Sequence, residues 1–118
     1  MKTAYADIAP FVTKDGSVIR ELMHPSRHGS SEMSFAEAIV DAGGTTLMHL
    51  HRTSAEIYHI TQGIGTMRMG EVEFDIHGGD TITILPGTPH NVTNTGSEPL
   101  KILCTCHPPY SDEDTALL

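Results

Sequence analysis

Short apolar stretches alternate with turn-forming residues along most of the chain. Eleven glycines and seven prolines recur at short intervals, and segments such as residues 81–84 (TITI) place an apolar side chain at every second position. Period-two alternation between turn residues is typical of half-buried strands. The pattern predicts strands over residues 18–23, 45–50, 57–61, 66–69, 72–76, 81–85 and 100–106. Gly70-Glu71 suits a two-residue hairpin turn between two of these strands.

Residues 34–41 carry conflicting signals. Ser34 followed by Glu37 is a capping-box pattern, and the glycines that come after the segment are typical of a helix end. The alternative is a strand with small apolar side chains on one face. Because strand patterns lie on both sides, we predict a strand here, with a helix as the alternative.

Two other segments lack the alternating pattern. Residues 25–32 are predicted to form a flexible loop, and Ser111 could cap a short helix that starts at Asp112. With strands elsewhere, the chain is predicted to be an all-β sandwich or barrel. We expect one domain over residues 1–118, with a barrel core over about 34–107, an N-terminal strand or arm over 1–33 and a tail over 108–118.

Composition and charge exclude several classes of partner. The chain has 118 residues, 38% of them hydrophobic, and a formal net charge of −8. Lysine and arginine are not clustered, so neither nucleic acid nor an anionic membrane is an expected partner. No apolar run approaches the ~20 residues that span a bilayer. Asp7 interrupts the apolar core that a signal peptide would need, and a cytoplasmic location is therefore expected.

The two cysteines are Cys104 and Cys106, two positions apart in a predicted strand. Their side chains would share one face with parallel Cβ vectors, which suits a disulfide poorly. We predict free thiols in a reducing compartment. A C-x-C metal pair is the alternative, but no further cysteine is present to complete a thiolate site.

Histidine and glutamate are concentrated in one part of the chain. His49 and His51 project from one face of a strand, and a short polar turn can bring Glu56 back beside them. Two histidines and a carboxylate form a facial set of metal ligands, although such a pair alone is as often a surface feature. His90 follows a proline-rich turn and is a fourth candidate ligand.

Two motifs give this pattern a specific resemblance. The first is Gly43-x5-His49-x-His51-x4-Glu56-x6-Gly63. The second is Gly79-x5-Leu85-x-Gly87-x2-His90-x3-Asn94, with Leu85 where proline is usual. Together they resemble the two motifs of the cupin superfamily, and the short gap between them is similar to that of compact single-domain members.

The resemblance implies a fold and a cofactor. The expected fold is a double-stranded β-helix, a jelly-roll barrel, with one divalent metal ion inside it. The family's ligands fall on His49, His51, Glu56 and His90. Fe, Mn, Ni, Co, Cu and Zn all occur in such proteins, and this ligand set does not select one of them. A homodimer is also expected from the resemblance.

Residues beside the motifs are candidates for substrate contact. Parity along the strand from Glu56 places Tyr58 on the metal-facing side, as a hydrogen-bond donor or a packed aromatic, and His59 on the other side. Arg52 could hold a substrate carboxylate or phosphate at the mouth of the barrel, although a surface role is the preferred interpretation. Ile102, Cys104 and Cys106 could line the pocket wall if they face inward, and Met67 could add to it, but core packing is the preferred interpretation for all of them.

The expected function is metal-dependent chemistry on a small oxygenated molecule. Three histidines and one glutamate would leave two adjacent coordination positions, where a substrate with two neighbouring oxygens could chelate. Dioxygenase chemistry on an enol or dicarbonyl is slightly preferred. The first alternative is an isomerase or epimerase in which Glu56 or Tyr58 moves a proton. The second alternative is a non-catalytic module that binds a small ligand.

Overall fold

A computed structural model describes residues 1–29 and 32–118, and nearly all of its regular secondary structure is antiparallel strand. A 3-10 helix, Tyr5–Asp7, and one short α-helix, α1 (Pro25–His28), lie near the N-terminus. The strands are β1 (Phe11–Val12), β2 (Val18–Met23), β3 (Ser34–Val40), β4 (His49–His51), β5 (Ala55–Gln62), β6 (Ile64–Met69), β7 (Val72–His77), β8 (Thr81–Ile84), β9 (His90–Asn94), β10 (Leu100–His107) and β11 (Thr115–Leu117).

The strands form two facing sheets that exchange strands along the chain. One sheet has the order β1-β2-β3-β10-β5-β8, and the other has the order β11-β4-β9-β6-β7. Strands distant in sequence are therefore neighbours in space, as in a double-stranded β-helix. The predicted all-β jelly-roll fold is confirmed.

The interior of the barrel changes from polar at one end to apolar at the other. Along the β5–β10 pair, Glu56 lies opposite Cys106, and two positions further on Tyr58 lies opposite Cys104. The next inward pair is apolar throughout. Fully buried side chains form the core at that end: Ile60, Met67, Ile76, Ile84, Leu100 and Ile102. Burial of each such side chain contributes about 2 kcal/mol to the stability of the barrel. The apolar end therefore stabilises the fold, and the polar side chains of the interior are gathered at the other end.

The strand prediction for residues 34–41 is confirmed, because β3 pairs with β2 on one side and β10 on the other. Two-sided backbone pairing outweighs the local capping signal of Ser34 and Glu37. The Gly70-Glu71 turn is also confirmed, with Gly70 at φ 60° between β6 and β7. The strand predicted over 45–50 is shorter than expected, since only His49–His51 forms β4 and Thr45 makes an isolated bridge to Thr93.

Two predictions about irregular segments were wrong. The first residues of the predicted loop over 25–32 form α1, because Pro25 suits a first helical turn and the His24 side chain accepts a hydrogen bond from Ser26 N. Ser30 and Ser31 of that segment lie outside the described residues. The helix expected after Ser111 is instead a turn followed by β11, which pairs with the edge of β4.

The N-terminal arm packs onto the barrel. The turn between β1 and β2 is fixed by the Leu47 amide, which donates to the Asp15 carbonyl, and by Lys14 Nζ, which donates to the carbonyl oxygens of Asp112 and Thr115. These three hydrogen bonds bring the turn to the polar end of the barrel. Within residues 1–29 and 32–118, none of the helices has the length and apolar character to cross a membrane.

Candidate metal centre

Strand β4 presents two imidazoles to the barrel interior. His49 and His51 alternate with the half-buried Leu50, and both are buried. His49 Nδ1 lies 2.8 Å from the Leu47 carbonyl oxygen, and His51 Nδ1 lies 2.9 Å from Thr115 Oγ1. Each ring is therefore held by its outward nitrogen, and Nε2 is left for the interior.

His90 reaches the same place from the neighbouring strand. It begins β9 opposite His49 and is fully buried, with its Nδ1 2.8 Å from the Thr88 carbonyl oxygen. The preceding turn depends on Gly87, whose φ of 78° suits glycine and whose amide donates to the His51 carbonyl. Leu85, which replaces the usual proline, is exposed, and its carbonyl closes this turn by accepting a hydrogen bond from Thr88 N. One ring nitrogen of each of the three histidines lies within 4.8 Å of the others.

Glu56 enters the site from β5 in the opposite sheet. Its Oε1 lies 3.1 Å from His51 Nε2 and 3.4 Å from His90 Nε2. Its Oε2 accepts a hydrogen bond from the Cys106 thiol over 3.3 Å. Burial acts to raise the pKa of Glu56, but hydrogen bonds and attraction from the imidazoles of His51 and His90, when these carry a proton on Nε2, lower it to about 2. The carboxyl is therefore ionised at neutral pH.

The hydrogen bonds of the outward nitrogens assign the tautomers of the three imidazoles. A carbonyl oxygen only accepts, so Nδ1 of His49 and of His90 must carry the proton. The Thr115 hydroxyl donates its own proton to the Ser111 carbonyl, so it accepts from His51 Nδ1. In their neutral forms all three rings then direct an Nε2 lone pair inward.

A cluster made only of acceptors fits a cation. Three Nε2 lone pairs and an ionised carboxylate face one another, and His90 Nε2 has no hydrogen-bond partner among the described residues. A proton shared by His51 and Glu56 would satisfy one contact and leave His90 unpaired. A divalent ion would satisfy all of them, and three imidazoles with one carboxylate suit the first-row transition metals and zinc. The residues present therefore fit a divalent metal.

Sequence reasoning missed Asp15. It lies in the turn between β1 and β2, far from both motifs, yet its Oδ2 is 3.8 Å from His49 Nε2. Nothing in the spacing of the motifs signals this residue, since its position depends on how the N-terminal arm folds over the barrel. Thr115 was missed as a partner of His51, and Cys106 was considered for the pocket wall but not as a partner of Glu56, because both reach the site through strand pairing.

A cavity opens beside this cluster, with about 610 Å³ of empty volume that is partly open to solvent. Apolar and polar side chains share its walls: Phe11, Ile19, Ala36, Ala38, Asp15, Glu21, Tyr58, Cys104, Cys106 and Tyr110. Tyr58 and Cys104 therefore lie where the sequence predicted pocket residues. Burial raises the pKa of the Tyr58 hydroxyl and of both cysteine thiols, so all three keep their protons at neutral pH.

Three candidates for substrate contact do not line this cavity, and each instead has the core or surface position that the sequence favoured. Met67 and Ile102 lie one layer deeper, opposite Val92 and Ile60 respectively, in the apolar core. Arg52 follows His51 in the chain and so projects away from the interior, where its Nη1 donates to the Glu113 carbonyl. The motif spacing could not give the depth of a side chain along the barrel, which depends on strand register.

Comparison with known proteins identifies the family. A model of the cupin domain matches residues 36–106. An uncharacterised protein of Methanocaldococcus jannaschii is 52% identical over 118 residues, which are 100% of this chain and 94% of that protein. The chain belongs to the cupin family. The site of this cupin is thus a cluster of three histidines within metal-binding distance of one another, inside the family's barrel.

Solved structures share the fold of this cupin. A predicted oxalate decarboxylase from Thermotoga maritima matches with a TM-score of 0.80 and 22% identity, over 92% of this chain and 99% of that one. A Streptomyces protein solved with uridine matches with a TM-score of 0.80 and 14% identity, over 99% of this chain and 89% of that one. Identities this low show the shared fold alone.

Proposed function

We propose that this cupin is a divalent-metal-dependent enzyme that acts on a small oxygenated organic molecule, with dioxygenase-type oxidation of an enol or dicarbonyl as its reaction. The observation that carries the proposal is the acceptor cluster, in which His90 Nε2 is fully buried and unpaired beside the ionised Glu56 at the wall of a cavity.

Four residues would hold the metal: His49, His51, Glu56 and His90. Their outward hydrogen bonds fix the rings before the metal binds, which lowers the cost of assembling the site. The metal would supply Lewis acidity, lowering the pKa of a bound hydroxyl or enol. Because the pKa of Glu56 is about 2, its carboxylate suits a ligand better than a carrier of protons.

The cavity walls would position the substrate. Phe11, Ile19 and the alanines of β3 form an apolar surface that limits the access of water. Tyr58 also lines the cavity, and its hydroxyl can donate a hydrogen bond or a proton to a substrate oxygen. This donor is the observation that favours the second candidate, an isomerase or epimerase, in which Tyr58 would return a proton to the substrate.

The named activities of proteins with this fold do not select a reaction. One is a predicted oxalate decarboxylase and another is a putative sugar phosphate isomerase from Acidithiobacillus ferrooxidans. These chemistries differ, so the shared fold does not specify a reaction for this cupin. A homodimer, a cytoplasmic location and the absence of a nucleic-acid partner stay predictions from the sequence.

Metal analysis followed by two activity screens tests the proposal. Protein purified without added metal is subjected to elemental analysis, and O₂ consumption is then measured with acetylacetone and α-hydroxy ketones. Stoichiometric iron or nickel with O₂ uptake would support the dioxygenase. Zinc alone, with exchange of substrate protons into D₂O detected by NMR, would support the isomerase instead. Binding of these compounds without turnover would show a binding module.

A further inference from the structure

One carboxylate oxygen of Asp15, Oδ2, faces the cavity and accepts no hydrogen bond from the described residues. The side chain accepts three hydrogen bonds from described residues, and all of them end on Oδ1: from Thr13 Oγ1 at 2.8 Å, Ser17 N at 3.0 Å and Ser17 Oγ at 2.7 Å. Oδ2 faces the site, 3.8 Å from His49 Nε2. Oδ1 thus fixes the position of the carboxylate, and Oδ2 is free to accept a hydrogen bond from a ligand.

The backbone around Asp15 is anchored to the barrel at several points. The turn is closed by Thr13 N, which donates to the Ser17 carbonyl, and by Gly16 N, which donates to the Thr13 carbonyl. The Leu47 amide donates to the Asp15 carbonyl over 2.8 Å. Lys14 Nζ, beside Asp15, donates to two carbonyl oxygens of the C-terminal segment. The carboxylate is therefore placed in advance on the cavity side of the site.

The charges of the cavity wall are one-sided. Among the described lining residues, none is a lysine or arginine, whereas Asp15, Glu21 and Glu56 all carry carboxylates. Glu21 is compensated at the mouth by Arg27, 3.7 Å away. A divalent ion held by the histidines would just balance Glu56 and Asp15. An anionic ligand would add a negative charge that no lysine or arginine of the cavity lining compensates, in a partly desolvated place.

We infer that Asp15 is a specificity-determining residue that restricts the cavity to substrates that are uncharged in solution, α-hydroxy ketones above all. It would do so by repelling substrates that arrive as anions and by accepting a hydrogen bond from a substrate hydroxyl through Oδ2. The inference rests on the proposed function, because it assumes a metal in the histidine cluster. It sets this cupin apart from any whose substrate is a carboxylate or phosphate. A neutral substrate hydroxyl can donate a hydrogen bond to Oδ2 without adding a negative charge to the cavity.

A matched pair of small ligands tests this directly. Hydroxyacetone and glycolate both offer two oxygens on neighbouring carbons, but only glycolate is charged at neutral pH. Their affinities for the Co(II)-loaded protein are measured through the visible spectrum of the metal, in wild type and in Asp15→Asn. Loss of the like charge should tighten glycolate roughly tenfold. The affinity for hydroxyacetone should be unchanged or lower in Asp15→Asn, because the substitution replaces the Oδ2 acceptor with an amide donor.

Glu73→Gln is the control, because it removes an exposed carboxylate on β7, outside the cavity. It should leave both affinities unchanged. Equal glycolate affinity in wild type and Asp15→Asn would overturn the inference, as would loss of cobalt from Asp15→Asn, which would make Asp15 a ligand. Wild type that bound no metal at all would instead refute the proposed function.

A measurement on wild type alone covers the case in which Asp15→Asn does not fold. The ratio of glycolate to hydroxyacetone affinity is compared between the Co(II)-loaded protein and aqueous Co(II). The ratio should be lower in the protein, because the cavity disfavours the anion. An equal or higher ratio in the protein would contradict the inference.

Discussion

The Thr115 hydroxyl accepts a hydrogen bond from His51 Nδ1 over 2.9 Å, and this contact ties the C-terminal strand to the candidate metal centre. The hydroxyl can accept because its own proton goes to the Ser111 carbonyl, 2.8 Å away. The chain end thereby fixes the tautomer of an imidazole 64 residues earlier.

Replacing Thr115 should weaken metal binding without touching a ligand. Thr115→Val keeps the shape of the side chain and removes the acceptor, so His51 can adopt the tautomer that carries its proton on Nε2. We expect the metal affinity to fall about 10- to 100-fold, measured by competition with a chelator. Thr115→Ser, which keeps the hydroxyl, is the control and should bind metal nearly as wild type does. Equal affinity in Thr115→Val would show that the tautomer is set elsewhere.

Removing His90 should abolish stoichiometric metal binding. Its Nε2 is buried and unpaired, and the cluster of three histidines loses a member without it. We expect elemental analysis of His90→Ala to show little bound metal and thermal unfolding to become insensitive to EDTA. His59→Ala is the control, since His59 lies on the outward face of β5 and contacts Thr81 Oγ1. Full metal content in both His90→Ala and His51→Ala would refute the site.

The metal-free protein should lose stability in acid through Glu56. The pKa of this carboxyl falls from its ordinary value of 4.5 to about 2 in the folded chain. Because the pKa is lower in the folded chain than in the unfolded chain, the ionised carboxyl stabilises the fold at pH values above the unfolded pKa. This stabilisation, roughly 3 kcal/mol, is lost as the pH falls towards 2.

Urea unfolding of the metal-free protein at pH 6 and pH 3 measures this loss. Glu56→Gln cannot titrate, so the free energy of unfolding should fall less between the two pH values than in wild type. Parallel decreases in the two proteins would mean that Glu56 does not carry the acid sensitivity.

The Cys106 thiol should matter as a hydrogen-bond donor to Glu56. It donates to Oε2 over 3.3 Å, and its pKa is raised by burial, so the proton stays on sulfur. We expect Cys106→Ala to weaken metal binding several-fold, because Glu56 is then less firmly oriented, whereas Cys106→Ser should retain it. Titration calorimetry with the apoprotein distinguishes the two variants. A decrease that Cys106→Ser shares with Cys106→Ala would point to packing rather than to the donor.

Period-two alternation and motif spacing were enough to predict much of the barrel and its histidine cluster. Parity along β5 placed Glu56, Tyr58 and Ile60 inside the barrel and His59 outside, because side chains alternate across a strand. The resemblance of the two motifs to those of cupins implied that His49, His51 and His90 share one site, and the structure clusters them. These inferences need only local geometry and a known arrangement of the motifs, so the sequence by itself determined them.

Tertiary structure alone decided which residues surround that cluster. The Ser111 signal favoured a helix, but the segment instead forms β11 because it can pair with the open edge of β4, and this puts Thr115 beside His51. Register, not pattern, put Met67 and Ile102 in the core. Asp15 reaches His49 only because the N-terminal turn docks on the barrel. Each of these positions depends on contacts between residues far apart in the chain. Such contacts form only when the chain folds, so the pattern of a local segment does not predict them.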